Sequence, residues 1–268
     1  MSIKDCLAKV LYHPIRWYNL YQIKKIYHGS LELERISLCD LGRTLVVAPH
    51  VDDETIGMGA LMGKINYDVL YMTDSGKGLK GSAEVRKQEG KNLHALLKCG
   101  KIYFLDGENM NLQKDESRLK KELEEILPQY DSIFTVSYID NHPDHRQTTK
   151  IIADLMPKGK IYLYEVSNLL PFQLINTYYP MDEEDFLLKK QLYDCFPSQS
   201  TMDFSIFQDL NRGKGSMLDV AGAEFFRKIS SERLKEEIKD FGDTIEERYP
   251  YRIGNQRNFY KTLRNERP

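Results

Sequence analysis

The chain has 268 residues, 41% of them hydrophobic and 29% charged, which allows a sizeable core under a soluble surface and excludes disorder along the whole length. With 38 Lys plus Arg against 40 Asp plus Glu the formal net charge is −2, so a globally basic nucleic-acid binder is excluded too. Cys6, Cys39, Cys99 and Cys195 are widely spaced and form no CxxC pair, which argues against a disulfide framework or a cysteine zinc site and for a reducing compartment. No apolar run reaches the ~18 to 20 residues of a spanning helix. Lys9, His13, Pro14 and Arg16 interrupt the only stretch resembling a secretory signal, so a cytoplasmic location is expected.

Residues 1–40 read as an N-terminal extension, helical in character. Within residues 1–30, Lys4, Lys9, Arg16, Lys24 and Lys25 face one acid, Asp5, and are interleaved with Tyr12, Trp17, Tyr18, Tyr21 and Tyr27. Two readings stand: a helix packed on the domain, or a peripheral contact with an anionic membrane at its inner face. Residues 41–268 read as a single α/β domain.

From residue 44, short β-rich apolar runs alternate with helix-like segments. The expected strands are Thr44–Ala48, Val69–Met72, Ile102–Leu105, Ser132–Val136 and Lys160–Tyr164. The expected helices are Glu54–Ile65, Glu84–Cys99, Ser117–Leu127 and His145–Leu155, the second placed between Ser82 as N-cap and Gly100 as C-cap. This alternation predicts βαβ crossovers: a Rossmann-like, mostly parallel sheet with helices on both faces. Ligands of such sheets bind beyond the carboxyl ends of the strands. From about residue 167 the pattern becomes mainly helical, with Asp182–Cys195, Phe204–Leu210 and Glu232–Phe241 as helices and an apolar face at Leu234, Ile238, Phe241 and Ile245.

The first strand runs into Ala48-Pro49-His50-Val51-Asp52-Asp53-Glu54. Three successive acids after an apolar strand repel one another, and burying even one costs several kcal/mol without a compensating cation or hydrogen bonds. A divalent metal is one compensation; an acidic first helical turn, stabilised by the macrodipole, is the other. Gly57, Gly59 and Gly63 imitate a dinucleotide fingerprint, but a pyrophosphate would have to lie beside the acids, which excludes that reading.

The fourth strand leads into Asp140-Asn141-His142-Pro143-Asp144-His145, which places two of the chain's six histidines within four residues. If the first and fourth strands are neighbours, both loops meet at one switch point. His50, Asp53 and His145 then offer two nitrogens and one oxygen, a set that suits catalytic zinc with an open position and also Fe(II). Asp52 and His142 remain as an acid/base pair, with Asp144 placed to orient His142.

These segments resemble the signatures of the PIG-L/LmbE-type de-N-acetylases. His50-Val51-Asp52-Asp53-Glu54 is similar to that family's H-P-D-D-E, with valine in place of proline, and His142-Pro143-Asp144-His145 matches its H-P-D-H. Thr73-Asp74-Ser75-Gly76, the Arg86/Glu89 pair, Asp106-Gly107, Ser198-Gln199 and Ala223-Glu224-Phe225-Phe226-Arg227 follow in family order. The resemblance spans roughly residues 42 to 230. It implies zinc-dependent removal of an N-acetyl group from an N-acetylglucosamine-type sugar in a glycoconjugate, polysaccharide or glycolipid precursor. It further implies His50, Asp53 and His145 as metal ligands, Asp52 as general base, His142 as oxyanion stabiliser with Asp144 behind it, and Arg86 as a substrate contact. Asp74 and Asp106, after neighbouring strands, suit sugar hydroxyls. Competing readings are a metal-dependent hydrolase of another acyl amide or an ester, and a non-catalytic metal-binding module.

Overall fold

The structure, a computed structural model, describes residues 32–76, 82–200 and 202–241, with Pro14 and Tyr21 besides. Apart from Pro14 and Tyr21, the residues of the reading made for 1–30 lie outside them, as does Ile245. Strands β1 (Glu34–Arg35), β2 (Thr44–Ala48), β3 (Tyr67–Thr73), β4 (Cys99–Gly107), β5 (Ser132–Val136), β6 (Lys160–Tyr164), β7 (Thr177–Met181) and β8 (Gly222–Ile229) form one sheet in the order β1-β7-β8-β6-β5-β2-β3-β4. Every neighbouring pair is parallel except those of β8, which runs antiparallel to β6 and β7. Helices α1 (Asp53–Met62), α2 (Ser82–His94), α3 (Glu116–Ile126), α4 (Pro143–Leu155), α5 (Glu183–Tyr193), α6 (Ser205–Met217) and α7 (Ser231–Phe241) cover the two faces. No helix among the described residues is long and apolar enough to cross a membrane.

Strand periodicity divides the core. Val46, Val69, Phe134, Tyr162 and Tyr164 point to the face packed by α1, α5 and α6. Leu45, Val47, Leu70, Ile133 and Leu163 point to the other, against Leu119 and Leu123 of α3, Ile151 and Ile152 of α4 and Leu234 of α7. All these strand side chains are buried, and each contributes about 1.5 to 3 kcal/mol of apolar burial.

The expected five strands are all present, and β2 does pair with β5. Three expectations change. The second expected helix begins at Ser82 itself and ends at His94, and Gly100 lies within β4 instead of capping it; a Cβ there would meet Asp68 Oδ1 at 2.3 Å. The region after residue 167 is not only helical, because β7 and β8 complete one side of the sheet. Pro180 within β7 and the charged Glu224 and Arg227 within β8 hide both strands from a hydropathy reading.

Those two charges have structural partners. Helix α1 loses helical geometry at Met58 (φ −148°, ψ 26°), and the freed Ala60 and Leu61 N–H groups each donate to the Glu224 carboxylate at 3.0 Å. Buried Lys189 neutralises Glu224 at 2.8 Å and donates to the Ile56 carbonyl at 2.9 Å. Gly57 permits this approach, since a Cβ would lie 2.2 Å from the Tyr164 ring. Arg227 pairs with Glu237 and with the Tyr138 hydroxyl, fastening α7 to the sheet.

Candidate active site

The chain builds β2–β4 on one side of β2 and then returns to place β5 on the other, so a crevice opens at the carboxyl ends of β2 and β5. The loop after β2 carries His50 and Asp52, and Asp53 opens α1. The loop after β5 carries Asp140 and ends at His142, the N-cap of α4, with His145 in the helix's first turn. A cavity of about 510 Å³ lies over both loops, lined among others by His50, Asp52, Asp53, Arg86, His142 and His145.

Three atoms converge there. His50 Nδ1 lies 3.1 Å from Asp53 Oδ2, and His145 Nε2 lies 3.3 Å from each of them. Ligands at ~2.0 to 2.2 Å around a tetrahedral zinc stand ~3.3 to 3.5 Å apart, so the triangle fits one such ion. His142 is also near, since His50, His142 and His145 offer ring nitrogens within 4.8 Å of one another. Its Nδ1, however, accepts the Asp144 N–H at 3.2 Å as the helix cap, which leaves the Asp53 triangle as the better donor set.

The far nitrogen of each ring faces an oxygen. His50 Nε2 is 3.1 Å from Asp144 Oδ2 and 3.0 Å from Asn109 Oδ1, while His145 Nδ1 is 3.2 Å from Asp140 Oδ2 without hydrogen-bond alignment. These partners favour protons on the far nitrogens and lone pairs toward the triangle. Asp144 is fixed by the Met110 and Leu112 amides at 2.7 and 3.2 Å, and Asp140 by the His142 and Ser167 amides at 2.8 and 2.9 Å. Without an ion, the carboxylates draw protons onto the rings. Burial acts to lower the pKa of His50, but Asp144 and Asp53 outweigh it and lift it to about 9. His145 rises well above its usual range against the same burial, driven by Asp53 and Asp140. Burial acts to raise Asp53, yet the two imidazoles hold it well below the carboxylate range. The cluster therefore attracts positive charge, which a divalent cation would supply in place of the protons.

Asp52 sits beside this triangle at φ 135°, 5% exposed. Arg86 Nη2 donates to its Oδ2 at 2.8 Å; its Oδ1 is engaged by no described residue. Burial pushes the Asp52 carboxyl up to about 7, with Arg86 opposing and Asp53 adding to the rise. Glu54 is not at the surface of the site: it is fully buried, accepts Tyr71 Oη at 2.7 Å and the Asp52 N–H at 3.2 Å, and is pushed up to about 8 by burial. His142 is lowered to about 4 by burial first and then by the charges on His50 and His145, so its ring is neutral at pH 7. With Nδ1 accepting, its Nε2 carries the proton.

Several expected roles meet a different geometry. The Asp144 carboxylate lies against His50, and its residue touches His142 only through the backbone N–H. Arg86 lines the cavity, but its guanidinium is committed to Asp52, to Glu89 at 2.6 Å and to Ser198 at 3.3 Å. Asp106 pairs with Lys87 at 2.7 Å on the surface, and Asp74 accepts the Gly76 N–H at 2.9 Å; neither lines the cavity. Asp140 and Asn109 escaped the sequence reading. Asp140 could have been found as a second acid beside His142, with Asp144; Asn109, a neutral amide in the loop after β4, carries no such signal.

The mostly parallel sheet with helices on both faces matches the LmbE-like deacetylase fold. Residues 45–156 match the family model described as PIG-L: GlcNAc-PI de-N-acetylase. The N,N'-diacetylchitobiose deacetylase from Pyrococcus horikoshii, solved with its inhibitor MPG, superimposes with TM-score 0.56 at 21% identity, over 86% of this chain and 94% of that one. The A40926 pseudoaglycone deacetylase Dbv21 gives 0.57 at 18% identity, over 72% and 99%. The conserved protein TT1542 from Thermus thermophilus gives 0.56 at 18% identity, over 70% and 94%. No curated protein matches the chain.

Proposed function

We propose that this protein is a metal-dependent hydrolase that removes the N-acetyl group from an N-acetylglucosamine-type amino sugar within a glycoconjugate or a polysaccharide or glycolipid precursor. The carrying observation is the triangle of His50 Nδ1, Asp53 Oδ2 and His145 Nε2 at 3.1 to 3.3 Å, flanked by an Arg-held carboxylate and a neutral imidazole. The zinc or Fe(II) ion these three residues would hold supplies Lewis acidity toward the acetyl carbonyl and lowers the pKa of water beside it.

This chain's own groups supply the proton transfers. Asp52 is the general base. Its Oδ1 accepts the proton of the attacking water. Arg86 holds the other oxygen and so fixes the direction in which Oδ1 is presented. His142 donates from Nε2 to the oxyanion of the tetrahedral intermediate, a contact typically worth ~2.7 to 4 kcal/mol per donor. With Nδ1 accepting the Asp144 N–H, His142 presents Nε2 as a hydrogen-bond donor at the oxyanion. Asp52 returns its proton to the leaving nitrogen. Asp144 and Asp140 hold the rings of His50 and His145.

The test is to load the protein with zinc or with Fe(II) and assay N-acetylglucosamine, N,N'-diacetylchitobiose and a lipid-linked N-acetylglucosamine for acetate and free amine. Equimolar release of both from at least one of them is expected. Cleavage of acetyl esters without amine release from any amide would overturn the assignment of the bond, and no release by protein holding stoichiometric metal would overturn the hydrolase reading.

A further inference from the structure

A second cavity of about 570 Å³ lies behind the active-site wall, between α4, α7 and the loop at residues 110–113. Its lining includes Arg146 and Lys150, one turn apart on α4, and Lys235 and Lys239, one turn apart on α7. Residues at this i,i+4 spacing share a helix face, so two cationic pairs face one hollow. Among the described residues, the nearby acids do not balance them. Asp144 is spent on His50 and on two backbone amides. Asp154 is paired with Lys120 at 2.8 Å. Glu116 comes within 3.8 Å of Lys150 but is held closer by Lys120 at 2.6 Å and Gln147 at 2.7 Å. Arg146 donates only to a neutral carbonyl, that of Asp140, and neither Lys235 nor Lys239 has an acidic partner among the described residues. Four like charges converging on a concave site repel one another, and a multiply charged anion relieves that repulsion with charge-assisted hydrogen bonds. Tyr138, Leu112 and Ile238 give the hollow an apolar part that could pack the remainder of a small molecule.

We propose that this cavity binds the phosphate or diphosphate group of a ligand, at a site separate from the deacetylase centre. The overall charge of −2 and the concave shape favour a compact anion over a nucleic acid. The two sites share a wall: Met110 lines both cavities, and its amide fixes the carboxylate that holds His50.

The probe is pyrophosphate, titrated calorimetrically into the full, metal-loaded chain. Saturable one-to-one binding is expected. The double reversal Lys235→Glu with Lys239→Glu should weaken it at least about tenfold, since a lost charged hydrogen bond is worth ~1.5 to 3 kcal/mol and 1.4 kcal/mol is tenfold. His145→Ala should leave it unchanged, which separates this cavity from the metal centre. Absence of saturable binding, or equal affinity in the Lys235/Lys239 variant, would overturn the proposal. Phosphatidylcholine vesicles with and without phosphatidylinositol phosphate distinguish the sources. Retention that needs the phosphorylated lipid and is lost in the double variant identifies a headgroup; pyrophosphate binding without retention identifies a soluble ligand.

Discussion

Arg86 gives the sharpest contrast between a surface reading and a buried one. If Arg86 and Glu89 were an ordinary exposed i,i+3 pair, it would be worth about 0.3 to 0.5 kcal/mol and, at 2 to 4 °C per kcal/mol, about 1 to 2 °C in Tm. In the fold Arg86 is 2% exposed and is the cation between two buried carboxylates, Asp52 at 2.8 Å and Glu89 at 2.6 Å. Arg86→Met keeps much of the volume and removes the charge. Breaking a buried pair by deleting one partner costs about 3 to 5 kcal/mol, so the Tm should fall by about 6 to 20 °C. Catalysis should change in a defined direction. Burial raises the Asp52 pKa and Arg86 lowers it, so losing Arg86 raises it further and leaves less of the base ionised at any given pH. The acid limb of kcat/KM should move to higher pH, with one pKa unit corresponding to about 1.4 kcal/mol. The assays are thermal unfolding by circular dichroism and amine release across pH. A Tm within about 2 °C of wild type together with an unmoved acid limb would refute the buried-bridge account and return Arg86 to the surface.

Asp52→Asn should retain bound metal and lose about 10²- to 10⁴-fold in turnover, because an amide cannot take the water proton; a variant within threefold of wild type, checked under saturating substrate, would show that Asp52 is not the base. His142→Ala should lower kcat with little change in KM, as a contact made only at the oxyanion does; collapse of affinity with kcat intact would make His142 a substrate anchor. Metal affinity should rise with pH. In the ion-free protein His50 is raised to about 9 and His145 also lies well above its usual range, so at neutral pH an entering cation must displace protons, and that competition is strongest at low pH. Affinity should increase about tenfold per pH unit for each proton displaced, and calorimetry in buffers of different ionisation enthalpy should record proton release; pH-independent affinity without release would contradict the charge balance drawn here.

What the sequence could and could not reveal follows from range. The strands Ser132–Val136 and Lys160–Tyr164 are readable to the residue because they are short runs rich in β-branched and aromatic residues, flanked by polar segments. The two loop signatures are readable because each packs its chemistry into a few consecutive residues after a strand. The strands β7 and β8 are not readable because Pro180, Glu224 and Arg227 carry the wrong local signal; the charges are explained by Lys189 and the kinked α1, distant in sequence from Glu224, and by Glu237 and Tyr138 at Arg227. The same limit applies to Asp144. Its neighbourhood in sequence points to His142, whereas the fold turns its carboxylate to His50, 94 positions away. Asn109 reaches His50 from another loop, a contact that local pattern does not encode.

The central claim is that His50, Asp53 and His145 form one divalent-cation site that the hydrolysis requires. The most direct measurement is metal content by plasma mass spectrometry, with amine release on the same samples, for wild type and His145→Ala purified identically. The account predicts close to one zinc or iron per chain in the wild type, and metal and activity lost together in the variant. Wild-type metal occupancy in an active His145→Ala protein would contradict it.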